Sequence, residues 1–228
     1  MPEPDYRDQT EFFDPDEWSW PVHIVGMGGI GSAVFLPLLK LGVPEVHLWD
    51  DDHVELHNIP AQLIYRRSDV GLPKVVAAKQ FAERQEYDTQ VIVHEERVSE
   101  STKLKGVVIG AVDSMQSRAE IWRAVRFNAF VPLYLDGRIG GEEFNLLTLN
   151  PSSGDDVSFY EDKWSFDDAQ VAPLGCAART IIHTPVNLAA MIVLNLTLFA
   201  RGKHSENSLF AGLGMKQYVT ATAGHENR

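Results

Sequence analysis

The stretch Val22-His23-Ile24-Val25-Gly26-Met27-Gly28-Gly29-Ile30-Gly31-Ser32 constrains this chain more than any other. Strand-type residues run straight into a glycine-rich turn, and the turn opens an apolar helix. Gly26, Gly28 and Gly31 have the spacing that tightens the turn, lets backbone approach a phosphate, and packs helix against strand. Gly29 lies inside the same turn. A second strand, Val46-His47-Leu48-Trp49, ends in Asp50. That is about 20 residues beyond the last glycine, where a carboxylate can accept hydrogen bonds from both hydroxyls of a ribose. The pattern is that of a nucleotide-binding βαβ unit, and by itself it does not select the nucleotide.

Periodicity downstream extends the same architecture. Residues 74–85 predict a helix with Val75, Ala78 and Phe81-Ala82 on its buried side, and 90–94 predict a strand. Residues 107–111 are a short continuous apolar run, as expected of a strand buried on both faces of a parallel sheet. The run leads to Asp113, at the C-terminal edge of the sheet, where open α/β folds bind ligands. A helix over 117–128, a strand over 131–136, a turn over 137–141 and an antiparallel strand over 144–150 follow. A later apolar helix ends near Arg201-Gly202, the glycine serving as C-cap. Residues 217–221 predict one more strand. Pro37 falls inside the first helix, where it removes a hydrogen bond. The expected fold is α/β: a Rossmann-like, mostly parallel sheet flanked by helices, with an antiparallel extension. An arm over 1–21, rich in aromatics, would lie on the domain or on a partner; the domain covers 22–202 and a tail covers 203–228.

Composition narrows the partners. With 20 Lys+Arg against 32 Asp+Glu the formal charge is −12. Such a field repels phosphate backbones and argues against nucleic acid. Any phosphate site must therefore create its own local positive potential. The single cysteine, Cys176, excludes an intrachain disulfide and a multi-cysteine zinc site. The N-terminus lacks a basic-then-apolar leader. The longest apolar stretch, 185–200, is broken by Asn187, Asn195 and Thr197 and is shorter than the ~20 residues a spanning helix needs. These features lead to the expectation of a cytoplasmic protein without a membrane partner.

Four blocks occur in order: Gly26 to Ser32 as GxGGxGS, Asp50 to Asn58 as D-x-D-x-V-x-x-x-N, Gly71 to Lys74 as G-x-x-K, and Asp113 to Arg118 as D-x-x-x-x-R. This ordered set resembles the ThiF/MoeB family, the adenylating domains of enzymes that activate ubiquitin-like proteins. The resemblance covers about 22–201. It implies attack of a C-terminal carboxylate on the α-phosphate of ATP, giving an acyl-adenylate and pyrophosphate. The partner would be a ubiquitin-like or sulfur-carrier protein, or a peptide, with a free C-terminus. By the same resemblance the Gly28–Gly31 backbone cradles phosphate, Lys74 places an ammonium on the phosphates, Asp113 holds Mg²⁺ and Asp50 binds the ribose. Asp52 and Asn58 shape the site. Residues 151–175, acidic through Asp155, Asp156, Glu161, Asp162, Asp167 and Asp168, match the family's crossover loop over the nucleotide; a plain solvated loop is the other reading.

The match has gaps. Where the family places an arginine on the triphosphate, this chain has Ala61, although Gln62 matches the next position; Arg66 or Arg67 would have to reach back. The family's homodimers also draw an arginine from an N-terminal motif of the opposite subunit, and Arg7 in Tyr6-Arg7-Asp8-Gln9 is a loose match. Cys176, with Arg179 nearby at a helix start, stands where family members carry an acyl-accepting cysteine; a small buried residue is the plain alternative. Three other readings stay open: a non-catalytic family member, motivated by Ala61; a nicotinamide-dependent oxidoreductase, which would leave Lys74 and Asp113 without a role; and a nucleoside-carboxyl activator, which the charge disfavours. Asp50-Asp51-Asp52-His53 with His57 could also be read as a metal box, but the nucleotide motif already accounts for that spacing.

Overall fold

A computed structural model describes residues 4–163, 181–203, 205–214 and 216–223. The chain runs β1 (Val22–Val25), α1 (Gly29–Leu41), β2 (Glu45–Trp49), α2 (Lys74–Arg84), β3 (Gln90–His94), β4 (Val107–Gly110), α3 (Met115–Val125), β5 (Leu133–Gly140), β6 (Glu143–Leu149), α4 (Gly154–Lys163), α5 (His183–Ala200), β7 (Ser208–Gly212) and β8 (Gln217–Ala221). The strands form one sheet in the order β3-β2-β1-β4-β5-β6-β7-β8. Pairing is parallel from β3 through β5 and antiparallel from β5 to β8. The expected α/β architecture with an antiparallel extension is present.

Alternation along the strands sorts two cores. Ile24, Leu48, Ile109 and Leu135 join the helix residues Phe35, Leu38, Ala78 and Leu188 on one face. Val25, Trp49, Val108 and Tyr134 join Ile121, Trp122 and Tyr160 on the other. Burial on both sides explains why the central strands read as unbroken apolar runs. The order reverses between β1 and β4, so a crevice opens beyond their C-terminal ends.

The arm lies on its own domain. Phe13 and Trp18 are buried, their rings 5.3 Å apart, and Trp18 meets Phe199 of α5 edge-on at 6.2 Å. Tyr6 packs against Gly42, which ends α1 with φ +77; a Cβ there would stand 2.5 Å from the Tyr6 ring. α1 continues through Pro37.

Several boundaries differ from expectation. The turn predicted over 137–141 is strand as far as Gly140. Gly137 marks a close approach instead: a Cβ there would press within 3.2–3.4 Å of Leu188, Ile192 and Ile30. The first part of the predicted crossover loop is helix, with Val157, Phe159 and Tyr160 buried. Asp155 and Asp156 occupy its first turn, where they suit the helix dipole. Residues 164–175 lie outside the described residues. The stretch read as a tail carries β7, which the sequence reading missed, as well as the expected β8. α5 has the length and composition of a membrane span, yet it packs against α1, β5 and β6, with Leu188, Ala189, Ile192 and Leu196 buried.

Candidate active site

The glycine turn shows three separate uses of glycine. Gly26 has φ +95, and a Cβ on it would come 2.7 Å from the Ala111 carbonyl oxygen. A Cβ on Gly31 would overlap the Gly26 carbonyl oxygen, so this residue sets how closely α1 approaches β1. Around Gly28 no atom lies within 4 Å of a Cβ position, so the chain's own packing does not demand glycine there. Behind that open space, the N-terminus of α1 has no side-chain cap and no acidic residue in its first turn. Unsatisfied N–H groups and the positive dipole end make an anion site. Room and donors together fit a phosphate.

Asp50 follows β2 and turns back onto this loop. Its Oδ2 accepts from the Met27 N–H at 2.6 Å and its Oδ1 from the Asp52 N–H at 2.8 Å. Burial pushes its pKa up, while Lys74 and these N–H donors pull it down. Residues 52–54 pair with 71–74: the Val54 N–H donates to Leu72, Gly71 to Val54, and Lys74 to Asp52. That ribbon is why residues far apart in sequence meet. The Lys74 ammonium donates to Asp52 at 2.8 Å and lies 3.9 Å from Asp50. Lys74 is only 7% exposed. A buried cation at a helix N-terminus opposes the helix dipole, and the two carboxylates offset that cost. The bond from Lys74 holds Asp52 below the ordinary carboxylate pKa.

Asp113 is exposed just past β4, across the crevice from the glycine turn. Its oxygens are the hard donors that Mg²⁺ shares with substrate phosphates, so the position suits the metal. Arg118 anchors this corner. Its guanidinium donates to the buried Asp136 and to the Val112 carbonyl, adjacent to Asp113. Asp136 also accepts from Arg138 Nε at 2.9 Å and from the Tyr160 hydroxyl at 2.8 Å. The Asp50, Asp51 and Asp52 carboxylates come within 4.8 Å of one another. Lys74 and Arg97 already pair with Asp52 and Asp51.

Other expected residues play local parts. Asn58 is buried, and its Oδ1 accepts from the Glu55 N–H at 2.8 Å, closing the 3-10 turn Leu56–Asn58. Gln62 keeps its Oε1 buried with no hydrogen-bond partner among the described residues. Arg66 and Arg67 are exposed in the following turn. Arg7 pairs with Asp5 on the arm, next to the C-terminal end of α1, where Gln9 donates to Leu41. The 13-residue helix separates it from the glycine turn of its own chain by roughly 20 Å. Cys176 and Arg179 lie outside the described residues.

Three residues escaped the sequence reading. Ser32 Oγ accepts from the Leu63 N–H at 3.1 Å, and Tyr65 donates to the Met27 carbonyl at 2.8 Å. Together they fasten the 58–65 segment to the glycine turn. Arg97 sits beside Asp51. Only the serine of the GxGGxGS block offered a sequence signal.

Comparison with known proteins bears on the fold and the family. The ThiF family model matches residues 19–217. The SAMP-activating enzyme E1 of Haloferax volcanii is 33% identical over 135 residues, covering 57% of this chain and 49% of that protein. The sulfur carrier protein ThiS adenylyltransferase of Escherichia coli K12 is 30% identical over 105 residues, covering 44% and 42%. The chain therefore spans about half the length of these relatives. Among solved structures, PaaA superposes with TM-score 0.72 at 20% identity, covering 96% of this chain and 69% of that one. E. coli MccB with ATP superposes with TM-score 0.71 at 18% identity, covering 93% and 67%.

Proposed function

The chain belongs to the ThiF family, and from that premise we propose that it uses ATP to adenylate the C-terminal carboxylate of a ubiquitin-like or sulfur-carrier protein, or of a peptide. One observation carries the reading: the buried Lys74 ammonium stands between Asp50 and Asp52, and Asp50 is hydrogen-bonded to the glycine turn. This arrangement joins a ribose acceptor, a phosphate cradle and a cation along one sheet edge. ThiS adenylyltransferase among the relatives, and MccB solved with ATP, support the choice of nucleotide.

In this reading the phosphates lie against Gly28–Gly31, and the ribose hydroxyls donate to Asp50. Mg²⁺, held through Asp113, would neutralise charge on the triphosphate. A carboxylate oxygen of the substrate attacks the α-phosphorus, the bond to the β-phosphate bridging oxygen breaks, and pyrophosphate leaves. Lys74 faces the negative charge that builds at the α-phosphate in a water-poor site, where a fixed cation is worth most. Asp52 and the 58–65 segment with Asn58 and Gln62 hold the lysine and the loop in place. The adenylate then passes its acyl group to the Cys176 thiolate, releasing AMP. The enzyme works as a homodimer, with Arg7 reaching the partner's triphosphate in place of the arginine lost at Ala61. The cytoplasm is the proposed compartment. Ala61 also favours a second reading, a non-catalytic family member.

Exchange of labelled pyrophosphate into ATP, with and without β-grasp proteins or peptides that have free C-termini, tests the proposal. Substrate-dependent exchange is expected, and Cys176→Ala should retain it while losing a reductant-sensitive adduct. Mixed Arg7→Ala and Lys74→Ala subunits should recover part of the rate if Arg7 acts across a dimer. No exchange with any such substrate favours the non-catalytic reading. An adduct that survives Cys176→Ala removes the thiol step, and no recovery in well-exchanged mixtures removes Arg7.

A further inference from the structure

Arg97 has a placement that the phosphate cradle and Lys74 leave unexplained. It stands just past the end of β3, and its side chain is 70% exposed. Even so, its Nε reaches both carboxylate oxygens of Asp51 at 2.9 Å. An exposed ion pair contributes little to stability, and an arginine gives up considerable rotamer freedom to make one. The pair is therefore poorly accounted for as a stabilising contact. The charges of Asp51, Asp52 and Asp113 all act on the guanidinium. These residues follow β2 and β4, which flank β1, so Arg97 overhangs the crevice from its β3 side.

The direction of a bound nucleotide follows from the strand order. Its phosphates lie at the turn after β1, and its ribose lies at Asp50 after β2. A base attached to that ribose continues the same way, toward the end of β3, where the 95–98 segment begins. We propose that the Arg97 guanidinium lies flat against the purine face and, held by Asp51, forms one wall of the base pocket. This inference rests on the ATP reading above. Asp51 engages Nε, at one edge of the guanidinium plane, and leaves the flat face free. A planar, weakly hydrated guanidinium stacks on aromatic rings, and an ammonium does so less well. Arg97 is thus a nucleotide-binding residue that acts on the base and leaves the phosphates to Lys74.

Calorimetric titration of the whole chain with ATP and, separately, with AMP tests this. Arg97→Ala should weaken both nucleotides by the same factor, roughly 5- to 30-fold, and Arg97→Lys should keep most of that loss. Asp51→Asn should weaken both as well, and should add little in the Arg97→Ala background, because the two side chains act as one unit. Loss of ATP affinity with AMP unchanged would move Arg97 to the β- and γ-phosphates and overturn the inference. Unchanged binding of both would reduce the pair to a surface contact, and so would full additivity with Asp51→Asn. Failure of the unsubstituted chain to bind either nucleotide would instead overturn the ATP reading itself.

Discussion

Gly28 and Gly31 share one motif but answer to different forces. A Cβ on Gly31 has to displace backbone, since it overlaps the Gly26 carbonyl oxygen and presses the Ile24 side chain. Gly31→Ala should therefore destabilise the fold by about 1–3 kcal/mol, the range for an overpacked core. Gly28→Ala meets no protein atom within 4 Å and should leave the melting temperature nearly unchanged while ATP binding falls. Melting curves read beside ATP titrations separate the two effects. A Gly28→Ala variant that still binds ATP normally would mean that phosphate does not approach this residue. At this scale much was legible in the sequence, because Asp50, Lys74 and the glycines sit at fixed spacings. Ser32, Tyr65 and Arg97 were harder to see, since each acts through a partner that is remote in sequence or lies in an aperiodic stretch.

Between elements, β1, β2 and β3 share a row of rings. His23 stacks on His47 at 4.4 Å, and Trp49 stacks on His94 at 3.6 Å. His47 Nδ1 and His94 Nε2 are hydrogen-bonded at 3.0 Å. His23 accepts the Trp49 indole N–H at 3.1 Å through Nδ1, and its Nε2 bonds to the Lys105 carbonyl at 2.9 Å. An Nδ1 that accepts an N–H carries no proton, so this arrangement belongs to the neutral ring. Burial, reinforced by the charge of His47, lowers its pKa from 6.5 to about 4. Because the folded value lies below the unfolded one, this stability is complete above pH 6.5 and is lost as the pH falls from there toward 4. The loss is roughly 3 kcal/mol. Urea unfolding at pH 7.5 and at pH 5 should show about 2 kcal/mol of that drop, and His23→Asn should flatten it. An equal slope in the variant would locate the sensitivity elsewhere. Element types were legible where β-branched and aromatic residues cluster, as at β3 and β8. They were not where polar residues mask a short buried face, as in α4 with only Val157, Phe159 and Tyr160 buried, nor at β7, whose sequence SLFAG has no β-branched residue and ends in glycine.

Across the whole molecule, the proposed chemistry depends on bringing anions together inside a chain of formal charge −12. The fold meets that requirement locally, through an uncapped helix N-terminus, a buried lysine and the crevice between β1 and β4. In the proposed reaction Lys74 stabilises charge on the α-phosphate during attack by a carboxylate. Pyrophosphate exchange by Lys74→Ala in the presence of a competent substrate tests it most directly. A fall of about 10²–10³-fold, typical of losing one preorganised charge-stabilising donor, is predicted, with an unchanged circular dichroism spectrum. Near-normal exchange in a folded Lys74→Ala protein would contradict the account.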